Sequence, residues 1–111
     1  MNDVVNNNVD QKNTHIFNES SINWSPEVAY NMIFLKSQQN YANDILRSRG
    51  HVFLNDVYDF LGFKRTSAGA ITGWIISKES ESFISFGDLI AEPDGSILLH
   101  FNVDGIIYDK I

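Results

Sequence analysis

The feature that most constrains this chain is residues 27–49, a stretch with neither Gly nor Pro, bounded by a start signal and a stop signal. Ser25-Pro26-Glu27 reads as a helix N-terminus. Ser caps, Pro takes the first helical position where its missing N–H costs nothing, and Glu lies near the positive end of the dipole. Gly50 reads as the stop, with Arg47 and Arg49 in the last turn. Val28, Met32, Leu35, Ala42 and Leu46 form one apolar stripe, interrupted by Gln39; Tyr30, Ile33, Phe34, Tyr41 and Ile45 form a second. The polar centre, residues 36–40, leaves a bend open. A core facing one stripe spans about 100° of a helix, so a chain of 111 residues has difficulty covering both.

Shorter elements follow. His51-Val52-Phe53 reads as an extended entry. Leu54, Val57, Tyr58 and Leu61 fall at i, i+3, i+4 and i+7, and Gly62 ends that helix. Thr66 or Ser67 can cap a second short helix through about Thr72, built on the small residues Ala68, Gly69 and Ala70. The C-terminal third is β-like, with strands expected near 74–77, 83–89, 96–103 and 106–111. Pro93-Asp94-Gly95 is a turn, and Asp104-Gly105 is a two-residue hairpin signal that would pair Val103 with Ile106 and Phe101 with Tyr108. Upstream, residues 1–18 hold six Asn and no sustained apolar period, and read as a flexible Asn-rich tail. Ile16, Phe17, Ile22 and Trp24 are apolar enough to dock back onto the core.

Composition narrows the chemistry. Without Cys, neither a disulfide framework nor a thiolate metal site can form. No run approaches the roughly 18 apolar residues of a membrane span, and the N-terminus lacks a basic-then-apolar signal pattern. A soluble, intracellular domain is therefore expected. The three histidines, His15, His51 and His100, make no ligand spacing, and His100 facing Asp109 across the hairpin reads as a surface pair. Asp56 and Asp59 share one helix face and read as solvated. No phosphate-binding loop, calcium loop or nucleophile elbow is present, so catalytic, cofactor and metal residues are expected to be none.

Two nucleic-acid readings arise. Leu54–Leu61, the turn through Lys64 and Arg65, and Thr66–Thr72 have about the length of a helix–turn–helix. The net charge of −6 opposes it, because phosphate contacts supply most nucleic-acid affinity. The same acidity permits the converse, an acidic domain seated in the basic groove of another protein, without selecting it.

From about residue 30 the chain resembles a family of uncharacterised bacteriophage proteins that share a domain of unknown function. The resemblance rests on 37–44 (SQQNYAND), Arg49-Gly50-His51, 54–62 (LNDVYDFLG), 65–74 (RTSAGAITGW), Ser96-Ile97-Leu98-Leu99 and 101–105 (FNVDG). It implies phage origin and carries no catalytic residue across. Relatives often have an apolar, membrane-inserting region upstream, where this chain has its Asn-rich segment, so membrane attachment does not carry over. In relatives the strand at 96–103 commonly reads Leu-Asp-Phe-Asn-Val-Asp-Gly with the turn that follows, and His100 replaces the acid here.

The expected architecture is a single α+β domain over residues 19–111, preceded by the tail 1–18. A long N-terminal helix and two short helices would pack on a small antiparallel β-meander. Leu35, Leu46, Leu54, Val57, Leu61, Trp74, Leu99, Phe101 and Tyr108 are the expected core. The expected function is that of a non-catalytic phage accessory protein in the host cytoplasm that binds another protein, inhibiting a host defence or nuclease component. A virion structural or assembly component is the alternative and a DNA-binding regulator the third reading. The partner is a host or phage protein, with a homo-oligomer also open; neither membrane nor direct nucleic-acid contact is expected. Tyr30, Phe34 and Tyr41 are the candidate partner-binding residues, unless the segment Ile16–Trp24 folds over them.

Overall fold

The long helix forms unbroken as α1 (Val28–Arg49) in the computed structural model of the chain, which describes residues 13–78 and 81–111. Gly50 ends it at φ 91°, donating its N–H to the Leu46 carbonyl. The start is held from inside the helix. Asn31 is fully buried; its Oδ1 accepts from the Ser25 N–H at 2.9 Å and its Nδ2 donates to the Ser25 carbonyl at 2.7 Å. One amide side chain thus satisfies a donor and an acceptor of the incoming chain. Ser25 Oγ accepts from the Glu27 N–H at 3.1 Å.

Among the described residues five short strands accompany two α-helices: β1 (Thr14–Phe17), β2 (His51–Phe53), α2 (Leu54–Leu61), β3 (Thr72–Ile75), β4 (Ile97–His100) and β5 (Gly105–Ile106) complete the order. The fold is α+β with antiparallel pairing, as expected, but the strands form two sheets rather than one meander. β1 pairs with β4, and β2-β3-β5 forms the other. The second short helix contracts to a 3-10 turn, Ala68–Ala70. Asn55 fixes the chain ahead of it, accepting from the Thr66 N–H at 3.0 Å and donating to the Thr66 carbonyl at 2.9 Å.

The expected tail boundary at residue 18 is corrected. Thr14–Phe17 lies antiparallel to β4, with Thr14 opposite His100 and Phe17 opposite Ile97, and Phe17 is fully buried. Four residues with no visible period become a strand because β4 supplies an edge to pair with. The earlier part of the expected tail, residues 1–12, lies outside the described residues.

The expected Asp104-Gly105 hairpin is corrected too. Gly105 pairs with Gly73 and Ile106 with Thr72, while Asp104 donates its N–H to the Gly73 carbonyl at 2.8 Å and accepts from the Ile75 N–H at 2.9 Å. Since β1 occupies the edge of β4, the returning chain goes to β3. The Phe101 N–H accordingly donates to the Asn13 carbonyl at 2.8 Å. Tyr108, expected in the core, is 65% exposed in the 3-10 turn Tyr108–Lys110, and Ile107 is buried instead. The other eight expected core residues, from Leu35 to Phe101, are buried. The 93–95 turn forms as read, with the Gly95 N–H donating to the Glu92 carbonyl at 2.8 Å.

Residues 83–86 form no regular strand: the Phe86 carbonyl accepts from the His100 N–H at 2.8 Å and the Ser85 carbonyl from the Asn102 N–H at 3.4 Å, while side chains satisfy the N–H groups. Asn43 Oδ1 accepts from the Ile84 N–H at 2.8 Å while its Nδ2 donates to the Ile84 carbonyl at 2.9 Å. Gln39 Oε1 accepts from the Phe86 N–H at 2.9 Å. Asn102 Oδ1 accepts from the Ser85 N–H at 2.8 Å and from the buried Trp74 Nε1 at 2.9 Å, and Nδ2 donates to the Phe83 carbonyl at 3.0 Å. Buried backbone groups need partners, and amides projecting from a helix and a loop serve as well as a ladder. The Gln39 that interrupts the apolar stripe is therefore part of the packing.

Candidate functional site

The two stripes of α1 have different fates. Leu35, Ala42 and Leu46 face the core with Asn31. On the opposite side Tyr30 is 61% exposed, Ile33 67% and Tyr41 52%. Helical spacing puts Tyr30, Ile33, Ser37, Tyr41 and Asp44 within one narrow face, and all five are exposed. Phe34 is not part of it: its ring stacks on Phe17 with centroids 5.9 Å apart, so β1 covers that position. Tyr41 stands at the edge, meeting the ring of Phe60 edge-on at 5.0 Å. The docking-back of the N-terminal segment thus happens at Phe34 and leaves Tyr30 and Ile33 open.

A second feature leaves no mark in the spacing of residues. A cavity of about 660 Å³ opens between β1, α2, the 68–70 turn, β3 and β5. Leu54, Ala68, Ile71, Val103 and Ile106 make its walls largely apolar, and its described lining holds neither a carboxylate nor a Lys or Arg. His15 is at its edge, sharing a 3.1 Å hydrogen bond between Nε2 and Tyr58 Oη and stacked on Phe63 at 4.9 Å. Burial lowers the His15 pKa and raises that of Tyr58, so both groups are neutral at neutral pH. The pair holds β1 against α2, and its chemistry is that of a hydrogen bond between neutral groups. A histidine read as part of a tail is recognised as structural only once β1 is known to pair with β4.

This pair has a pH consequence. A His whose pKa is depressed on folding takes up its proton at higher pH in the unfolded chain than in the folded one. The stability it contributes is present above the ordinary imidazole range and is lost as pH falls through it toward the folded value. Between about pH 7.5 and 5.5, the melting temperature of the wild type should fall further than that of His15→Gln. Equal falls in thermal melts at the two pH values would show that His15 is not the group responsible.

The other sequence candidates find structural partners. Asp56 accepts from the Phe53 N–H and from Arg49 Nη2, each at 3.1 Å, capping α2. Asp59 pairs with Arg65, whose guanidinium lowers the Asp59 pKa. Arg49 and Arg65 are thus neutralised within the chain. His100 lies opposite Thr14 rather than Asp109. Among the described residues, no group of three or more His, Asp or Glu side chains could hold a metal ion, and no helix is long and apolar enough to cross a membrane.

Comparison with known proteins adds one match. No curated protein and no solved structure matches the chain. Residues 2–111 match the family described as Family of unknown function (DUF6353). That match spans nearly the whole sequence, and the chain belongs to this family of unknown function.

Proposed function

We propose that this chain is a non-catalytic bacteriophage accessory protein that acts in the host cytoplasm by binding another protein, a host defence or nuclease component. The outward face of α1 is its protein-binding surface. One observation carries this reading: Tyr30, Ile33 and Tyr41 are exposed on the side of the helix that the core does not use. Exposed apolar and aromatic side chains gathered on one rigid face are characteristic of interfaces. Phage origin rests on the resemblance of the 54–62, 65–74 and 101–105 motifs.

A helix–turn–helix role has less support. The element after α2 is a three-residue turn, too short to lie in a groove, and Arg65 is engaged by Asp59.

The test is affinity capture from infected cells, comparing the wild type with Tyr30→Ser/Ile33→Ser. The wild type should retain a partner in near-stoichiometric amount, and the folded variant should lose it. Equal retention by both would move the binding surface elsewhere. Recovery of the protein in purified virions instead of soluble extract would favour the assembly role.

A further inference from the structure

We propose that the cavity between β1, α2, the 68–70 turn, β3 and β5 is a binding site for a neutral, largely apolar small organic molecule. The site is separate from the outward face of α1 and does not depend on how that face is read.

Its size fits such a ligand. At about 660 Å³ the cavity falls within the roughly 300–1,000 Å³ of small-molecule sites, which are concave, mostly apolar and largely pre-formed. Each wall is held in place by bonds that do not cross the cavity. On one side, the Phe101 N–H donates to the Asn13 carbonyl at 2.8 Å and positions the chain entering β1. On another, the buried Asn55 amide grips both the N–H and the carbonyl of Thr66. The third side is fixed by the Ile107 N–H, which donates to the Ile71 carbonyl at 2.9 Å and fastens the chain after β5 alongside β3. With its walls pinned, the cavity cannot collapse to bury its own apolar lining, and Ile71 and Ile106 stay exposed. A ligand would cover them.

The lining also selects the class of ligand. Among the described residues it offers no charged side chain, so an ion entering it would lose hydration without gaining a counter-charge. It does offer neutral hydrogen-bonding groups. Thr66 Oγ1 accepts from the Gly69 N–H at 2.9 Å and keeps its own O–H to donate. Tyr58 Oη, bonded to His15, keeps a lone pair to accept with. A few polar groups in an apolar wall orient a ligand whose affinity comes from apolar contact.

The probe is N-phenyl-1-naphthylamine, an uncharged dye with one N–H that brightens in apolar surroundings. Titrated into the full chain, it should saturate at one site and raise the melting temperature as its concentration rises. 8-Anilino-1-naphthalenesulfonate, the same aromatic frame with a sulfonate, should bind at least about tenfold more weakly. Ala68→Phe, at an exposed position in the lining, puts a ring into the cavity and should weaken dye binding at least about tenfold. Ile106→Ser, also exposed, removes part of a wall and should weaken it without filling the space. Circular dichroism checks that both variants fold, and Ile106→Ser carries the test if Ala68→Phe does not. Tyr30→Ser/Ile33→Ser should bind the dye as the wild type does. No saturable binding by the wild type would overturn the proposal, as would wild-type affinity in the folded cavity variants. Loss of binding in the α1 variant would place the dye on the helix and overturn it too. Equal affinity for the sulfonate would overturn the assignment of a neutral ligand.

Discussion

Phe17→Ala should destabilise the fold by about 3–5 kcal/mol, the cost of removing a large aromatic from a core that cannot fully collapse. Phe17 is fully buried, stacks on Phe34, and pairs through its backbone register with Ile97 at the end of β4. Denaturant titration followed by Trp fluorescence reads the change directly. A variant as stable as the wild type would return residues 14–17 to the tail and leave the Phe34 side of α1 uncovered.

Gly73→Val should be comparably severe, at least about 3 kcal/mol, at the upper end of overpacking effects. Gly73 sits in the middle strand of β2-β3-β5, opposite Phe53 on one side and Gly105 on the other. A Cβ there would lie 2.0 Å from the Val52 carbonyl oxygen and 2.8 Å from the Phe53 Cα. Both are backbone atoms, and neither can move without giving up the β2–β3 pairing. Gly50→Ala is the useful contrast. Gly50 has positive φ, 91°, but open space around its Cβ position, so its cost should be the conformational strain alone, about 1–2 kcal/mol. If the two substitutions cost the same, close approach at Gly73 is not what limits the sheet.

The helices were legible because their signals are local. Gly50 and Gly62 end the helices as read, the long helix starts at Val28 with Glu27 as its N-cap, two residues after the expected Pro26 start, and the spacing of Leu54, Val57, Tyr58 and Leu61 marks a buried face without reference to anything distant. The strands were less so, since each depends on which edge is free. Asp104-Gly105 is a hairpin dipeptide by composition, yet β1 takes the edge of β4 and sends the chain to β3. Thr14–Phe17 becomes a strand only through His100 to Ile97. Residues 83–86 look like a strand, but only part of their bonding is to backbone, at His100 and Asn102; their N–H groups go to the side chains of Gln39, Asn43 and Asn102, long-range partners that no periodicity reveals.

At the candidate site the same division holds. The second stripe of α1 is visible in the sequence, but Phe34 parts from Tyr30 and Tyr41 only when Phe17 covers it. Tyr30 and Tyr41 belong to a face that also includes Ile33. The His15–Tyr58 contact joins residues 43 apart and left no trace in spacing.

If α1 offers its outward face to a partner, that face is dispensable to the fold. Equilibrium unfolding of Tyr30→Ser/Ile33→Ser, at protein concentrations low enough to exclude self-association, tests it most directly. Stability should stay within about 0.5 kcal/mol of wild type for each exposed site. A loss of several kcal/mol would mean that the fold itself buries these side chains, and would contradict the interface.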